Sequence, residues 1–427
     1  MTHKIKLFLA SFMDNELIFD MATVFAGTLL IGGFDLLYHL VSVRILKPED
    51  YGILNSLISF LMLAIMAINP LTMNFSRYFA EQLAKNNLKN IHNTLLKIAS
   101  HLLILASVIF LFMVFVSSFI AKFINIPAIF IIITGGIISL SLFSKTLLSL
   151  LQGIQRFKIY SILLASSSFV KLLSGATLMY FGLRAMGGLA GLLIQPVFVI
   201  FISIFLLPFI FPKRRLNLNS DEIDPSLIYK FVLPNFIIVL SFAILTNTDV
   251  LLVKHFFSAT ETGYYSIAQM IGKVVFFLCS CIGIVILPKG TEAFVSNKST
   301  HKLLYKSLSI SALACFIVTG LIFIFPDIIL RVLAGKYNPA SASLMGLYVL
   351  VMSFNALLWI TINFSLAINS LKFKWIFLLL SLSEVFFIYS CHTTLKVIIL
   401  ITLSFSIASF LVVSTYVNRS IHRMLKT

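Results

Sequence analysis

The chain alternates long apolar runs with short polar stretches. A membrane-spanning helix needs about 20 mostly apolar residues. Twelve runs fit that template, at approximately 17–41, 54–75, 97–120, 127–150, 161–181, 188–211, 231–253, 264–288, 307–329, 342–367, 375–392 and 396–416. They divide six and six. The longest polar connection lies between the two sets and runs from Pro212-Lys213-Arg214-Arg215 to Lys230. The expected organisation is therefore an N-terminal six-helix lobe at 1–212, a cytoplasmic linker at 213–230 and a C-terminal six-helix lobe at 231–427.

The halves echo each other. Arg44-Ile-Leu-Lys-Pro-Glu-Asp-Tyr-Gly52 follows the first run, and Lys254-His-Phe-Phe-Ser-Ala-Thr-Glu-Thr-Gly263-Tyr-Tyr follows the seventh. Each has a basic exit, a short acidic turn and a glycine beside tyrosine. Duplicated halves are the usual architecture of transporters that alternate access to a midplane site. An even number of helices per half makes the repeats parallel. The fold class is an all-α integral membrane protein, with about twelve spans in two parallel repeats forming two lobes around a central cavity.

Composition excludes a sizeable soluble domain. Apolar residues make up 59%, charged residues 11%, and mean hydropathy is +1.04, against roughly 25% charged residues in soluble domains. The net charge of +17 raises the question of nucleic acid, but the basic residues are spread over short loops. With both termini cytoplasmic, the cytoplasmic segments hold 21 of the 32 Lys and Arg and the opposite side eight. That is the positive-inside bias, so no nucleic-acid partner is needed. The first apolar run is long enough to be a retained helix rather than a cleaved signal. Cys279, Cys281, Cys315 and Cys391 lie in or beside apolar runs and read as small apolar residues, with no metal or redox spacing. Gly187-x-x-x-Gly191 permits close helix approach. Pro70, Pro196, Pro234 and Pro288 lie in or at the ends of spans and permit bends.

No catalytic constellation, phosphate-binding loop or cofactor motif appears, so a transporter without its own ATPase fits better than an enzyme. What remains is a set of ionisable residues inside spans. These are costly in lipid and usually face protein or water. Lys171, Lys273 and Lys145 are the candidate contacts to an anionic substrate. Asp35 and His39, one turn apart, are candidates for ion coupling, together with Asp249 and Glu384. The competing reading makes these charges structural ion pairs, Asp249 with Lys273 for example. Arg44 and Lys254 mark one mouth and Arg77 the other, with interface anchoring as the alternative role. Asp20 starts the first span and is a candidate to snorkel to the interface.

Several segments carry a family resemblance. They include Arg44-Ile-Leu-Lys-Pro-Glu-Asp-Tyr-Gly52, Ser76-Arg-Tyr-Phe-Ala-Glu81, Leu151-Gln-Gly-Ile-Gln-Arg-Phe157 and Leu233-Pro234. Asn247-Thr-Asp249, Gly263-Tyr-Tyr265, Leu287-Pro288 and Gly335-Lys-Tyr337 continue the series. In order and spacing the set resembles the polysaccharide and O-antigen flippases of the multidrug/oligosaccharidyl-lipid/polysaccharide exporter superfamily. The resemblance implies flipping of an undecaprenyl-diphosphate-linked oligosaccharide across a bacterial inner membrane. It also implies a coupling cation (H+ or Na+) and contact with polysaccharide polymerase machinery. Three alternatives are weighed against it. A cation-coupled multidrug antiporter of the same superfamily has less support from the loop motifs. A lipid II flippase usually has further helices and more cavity arginine. A membrane glycosyltransferase or polymerase needs a large catalytic loop, which this chain lacks.

Overall fold

The computed structural model describes residues 15–84, 88–210, 225–295, 300–368 and 370–424. Among these the chain is helical throughout: α1 (Asn15–Ile45), α2 (Pro48–Ala84), α3 (Leu88–Phe123), α4 (Ala128–Gly153), α5 (Phe157–Leu178), α6 (Arg184–Ile210), α7 (Pro225–Phe256), α8 (Ala259–Val295), α9 (Thr300–Ile324), the short α10 (Pro326–Ala334), α11 (Pro339–Ala367), α12 (Lys374–Ser390) and α13 (Leu395–Met424). Each predicted span corresponds to one helix, except the ninth, which is divided between two. In lipid every backbone polar group must be satisfied internally, which leaves helices as the economical solution for such sequences. α4, with 26 residues, is about 39 Å long at 1.5 Å per residue and reaches beyond the hydrocarbon core.

Three boundaries differ from the sequence expectation. The ninth span ends at Ile324 instead of continuing to 329, because Pro326 lacks an N–H and opens the separate helix α10. No polar loop separates the fifth and sixth spans. A tight turn at Met179–Leu183 joins them, its helical geometry broken at Gly182 (φ 92°) and Arg184 (φ 48°). The seventh span's helix, α7, opens at Pro225, within the segment 213–230 expected as linker, of which residues up to 224 lie outside the described set.

Helix termini show why the chain turns where it does. Pro48 opens α2, followed by Glu49 and Asp50, whose charges suit a helix N-terminus. The second copy of the echo is a capping box before α8. Ser258 Oγ accepts from Glu261 N at 3.3 Å, while Glu261 Oε2 accepts from Ser258 N at 3.1 Å. Asn338 caps α11 by accepting from Ala340 N and Ser341 N.

α1–α6 pack mainly among themselves, as do α7–α13, and the pattern repeats. α1 packs on α5 and α2 on α4 in the first half; α7 packs on α12 and α8 on α11 in the second. Gly191 of the predicted small-residue motif meets α5 so closely that a Cβ there would lie 2.7 Å from Gly175 Cα. Gly153 packs α4 onto α2, its missing Cβ 2.5 Å from Ser76 O, so two of the flippase-like segments touch. The halves meet chiefly where α2 crosses α7 and α8. At that crossing the echoed glycines face each other: a Cβ on Gly52 would lie 2.9 Å from Gly263 N, and one on Gly263 would lie 2.2 Å from Pro48 O. Only glycine at both places lets the backbones approach this closely.

Candidate functional site

The first half encloses a cavity of about 480 Å³ between α1, α2, α4, α5 and α6. Asp35, Asn69, Lys145, Gln152, Lys171 and Gln195 supply its polar lining. Lys171 Nζ is 2.5 Å from Asp35 Oδ1, with side-chain exposures of 8% and 29% respectively. The same ammonium lies 5.4 Å from the ring centroid of Tyr38, a cation–π contact. Tyr38 is buried and donates its hydroxyl to Gly188 O at 2.7 Å, so the lysine rests on a ring pinned to α6. Lys145 Nζ donates to Asn69 Oδ1 at 2.6 Å.

Two prolines shape this cavity. Pro70 interrupts α2 beside Asn69, and Pro196 lies in the lining next to Gln195. Side chains near the α2 proline bond its carbonyls: Thr72 Oγ1 donates to Asn69 O at 2.8 Å and Asn74 Nδ2 to Pro70 O at 2.8 Å. Irregular backbone lines a cavity here, as membrane proteins tolerate it.

The second half carries a different cluster. Asp249 is buried, and its Oδ2 accepts from Tyr265 OH at 2.7 Å and from Tyr348 OH. Gln269 Nε2 donates to the Tyr348 hydroxyl at 3.0 Å, and Asn55 Nδ2 donates to Gln269 Oε1 at 2.8 Å. The chain of bonds therefore runs from α2 of one half to α7 of the other. Glu384 on α12 is 1% exposed and lies within electrostatic reach of Asp249. Asp249 Oδ1 has no hydrogen-bond partner, and the Thr402 side chain lies beside the Glu384 carboxyl. Among the described residues, no group of three or more His, Cys, Asp or Glu side chains is placed to hold a metal ion.

The structure redistributes the sequence candidates. Lys171 and Lys145 share the cavity, but Lys273 does not line it. The expected Asp249–Lys273 ion pair is not made: the Asp249 carboxylate takes two tyrosine hydroxyls, and the ion pair forms between Asp35 and Lys171. Lys273 is nonetheless close enough to Asp249 and His39 to act on both electrostatically. Asp35 and His39 do not pair with each other; His39 Nδ1 lies 3.3 Å from Tyr51 OH. Arg44 donates to Val332 O on α10 and so joins the halves, while Lys254 is 3% exposed. Arg77 is in α2, but its side chain is outside the described set, as is that of Asp20.

The end of the bundle bearing residues 45–52 and 256–263 is closed by contacts between halves. Thr260 Oγ1 donates to Glu49 Oε1 at 2.8 Å, and Asn125 Nδ2 donates to His255 O at 3.3 Å. His255 stacks on Phe123 with centroids 4.0 Å apart, and within the second half Phe256 stacks on His392 at 3.6 Å.

A family model described as "Polysaccharide biosynthesis protein" matches residues 41–342. The chain belongs to that family. No curated protein matches it. In structure this polysaccharide biosynthesis protein is similar to an inward-facing multidrug-resistance MATE-family transporter of the MOP superfamily. There the identity is 14%, with 92% of this chain and 95% of that one covered and a TM-score of 0.70. It is also similar to the lipid II flippase MurJ in an inward closed conformation: 15% identity, 93% and 87% covered, TM-score 0.69. A third match is a MOP-superfamily transporter from Pyrococcus furiosus, described by the reversed polarity of its binding pocket: 14% identity, 96% of each chain covered, TM-score 0.67. At such identities these likenesses carry the fold alone: the protein has the fold of MOP-superfamily transporters.

Several polar residues of this family member were not singled out in the sequence: Asn55, Asn69, Gln152, Gln195, Gln269 and Tyr348. One signal was available. Each lies in or at the end of an apolar run, where an amide or hydroxyl needs a partner.

Proposed function

We propose that this polysaccharide biosynthesis protein flips undecaprenyl-diphosphate-linked oligosaccharide repeat units, of O-antigen or another surface polysaccharide, across a bacterial inner membrane by alternating access. The observation that carries the reading is the polar cavity holding Lys145 and Lys171 inside a lobe of this fold. A diphosphate is a strong anion, and ammonium groups held out of lipid are its natural counter-charge. The polyprenyl tail remains in the bilayer while the head group crosses.

The Lys and Arg bias supports cytoplasmic termini. The end closed by Gly52–Gly263, Glu49–Thr260 and Phe123–His255 then faces outward, and the described state has its outer gate shut. Asp35 is engaged by Lys171, so Asp249 and Glu384 remain as the carboxyls for a coupling H+ or Na+. A multidrug antiporter of the same fold is the competing reading; cationic drugs need acidic cavity residues, and the cavity described here has two lysines to one aspartate.

Deletion of the gene tests the proposal. The expected result is lipid-linked repeat units accumulating on the cytoplasmic face and loss of surface glycan, both reversed by a plasmid copy. Intact surface glycan in a deletion strain with no other flippase overturns it. Transport of a fluorescent cationic dye by the purified protein in liposomes supports the antiporter.

A further inference from the structure

A second pocket, of about 480 Å³, lies at the closed end, between the end of α1, the start of α2 and the α5–α6 turn. Arg44, Lys47 and Arg184 line it, with Asp50 as the single carboxylate. Among the described residues neither Lys47 nor Arg184 has an ion-pair partner, and Arg44 is tied only to the Val332 carbonyl. The lining thus holds three cations and one anion, with Glu49, bonded to Thr260, acting on Lys47 from beside it.

Its backbone is shaped for this. Arg184 sits at φ 48°, in the left-handed region that residues with a Cβ adopt at a cost, two residues after Gly182 at φ 92°. The turn puts the Arg184 side chain on the pocket wall. Tyr180, also in the lining, and Phe181 beside it are 78% exposed each. Aromatic residues exposed at the end of apolar spans sit at head-group level. Basic pockets between membrane helices at that depth suit lipid phosphates, and arginine matches phosphate oxygens with paired donors.

We infer that the Arg44–Lys47–Arg184 pocket binds the phosphate group of a lipid in the leaflet at this end. The inference rests on the flippase reading for its role: the pocket receives the lipid diphosphate after it has crossed. The chemistry is shared by the substrate's diphosphate and by anionic phospholipids of the bilayer. Arg44 adds a link to the gate. Its hydrogen bond to Val332 crosses between the halves, so separation of the halves at this end frees its guanidinium for the phosphate.

Native mass spectrometry of the purified full-length protein tests this, with undecaprenyl diphosphate, phosphatidylglycerol and phosphatidylcholine offered in turn. The wild type is expected to retain the two anionic lipids over phosphatidylcholine. Arg184→Gln and Lys47→Gln are each expected to lower that retention at least fivefold. Loss of undecaprenyl diphosphate alone supports the inference with the substrate as source. Equal loss of both anionic lipids supports it with the bilayer as source. Unchanged retention in both variants overturns it. Lys47 lies in the turn between α1 and α2 and is exposed, so Lys47→Gln tests the pocket even if Arg184→Gln fails to fold. Lipid retention is read without transport, so a negative result here leaves the deletion experiment to judge the flippase reading separately.

Discussion

The two halves build the same helix pairs and fill them with opposite electrostatics. In the first, α1 and α5 bring Asp35 to Lys171. In the second, the corresponding α7 and α12 bring Asp249 near Glu384. The offset that carries Gly52 to Gly263 places Asp35 on Thr246, one turn before Asp249, and Lys171 on Leu382, two residues before Glu384. A scaffold repeated by duplication thus holds a neutral pair in one copy and an acid–acid pair in the other. The neutral pair needs nothing further. Two buried carboxyls faced by a single ammonium, that of Lys273, leave one negative charge to be met by a proton or a bound cation, since unpaired buried charge costs several kcal/mol per ion. Under the flippase proposal, anion handling falls to the first half and cation handling to the second.

The largest effect is expected from breaking the neutral pair. Removing one partner of a fully buried ion pair costs about 3–5 kcal/mol, because the other charge is left uncompensated; with Asp35 at 29% exposure on the cavity wall the cost here falls below that range. Lys171→Ala is therefore expected to lower both membrane protein level and glycan export. Lys171→Ala with Asp35→Ala removes both charges and is expected to restore the level. Export in the double variant then decides the lysine's role, read by surface glycan normalised to protein. Export about tenfold below wild type keeps Lys171 as a substrate contact; wild-type export makes the pair purely structural.

The acid–acid pair is expected to respond in the other direction. Asp249→Asn and Glu384→Gln keep shape and remove charge, so protein should accumulate at least as well as wild type. Uptake of lipid-linked substrate into liposomes, with and without an imposed H+ or Na+ gradient, should lose its gradient dependence. A variant accelerated by the gradient as much as wild type removes these carboxyls from coupling.

The contrast between the halves also marks how far the sequence could be read. Span positions were legible because apolar runs of about 20 residues have one stable form in lipid. The Gly52–Gly263 echo announced duplication. It could not reveal that the two glycines touch across the lobe boundary, which depends on how the lobes dock. The break at Pro326 was available from proline's missing N–H, yet hydropathy alone carries the ninth span through it. Lys171, Lys273, Asp35 and Asp249 stood out as intramembrane charges, but their pairing was not readable. Hydropathy sets depth along the membrane normal, whereas partner choice depends on helix rotation and neighbour order. Tyr265 and Tyr348 claim Asp249 from α8 and α11, 16 and 99 residues away in sequence. The amides Asn55 and Gln269, 214 residues apart, are joined for the same reason.

Within the first half, Lys145 sharpens the comparison, because it sits in the same cavity as Lys171 without a carboxylate partner. Its ammonium bonds to an amide oxygen of Asn69, so Lys145→Ala strands no opposite charge. Protein level should hold, and export should fall about tenfold, equivalent to ~1.4 kcal/mol, if the ammonium contacts the diphosphate. Normal glycan in this variant, measured beside the Lys171/Asp35 double variant, confines anion contact to Lys171.

The smallest effect is expected from Lys273→Ala. Lys273 lies in the half that holds the carboxyls and does not line the described cavity. Its charge reaches Asp249 and His39 without an ion pair to either. Removing it should leave substrate contact intact and make the carboxyl cluster more negative. Export at saturating gradient should then stay within about twofold of wild type, while the cation concentration giving half-maximal rate falls, because an unopposed carboxyl pair attracts a cation more strongly. Export reduced as severely as in the Lys171/Asp35 double variant, with no change in cation dependence, places Lys273 on the substrate's path and dissolves the division of labour between the halves.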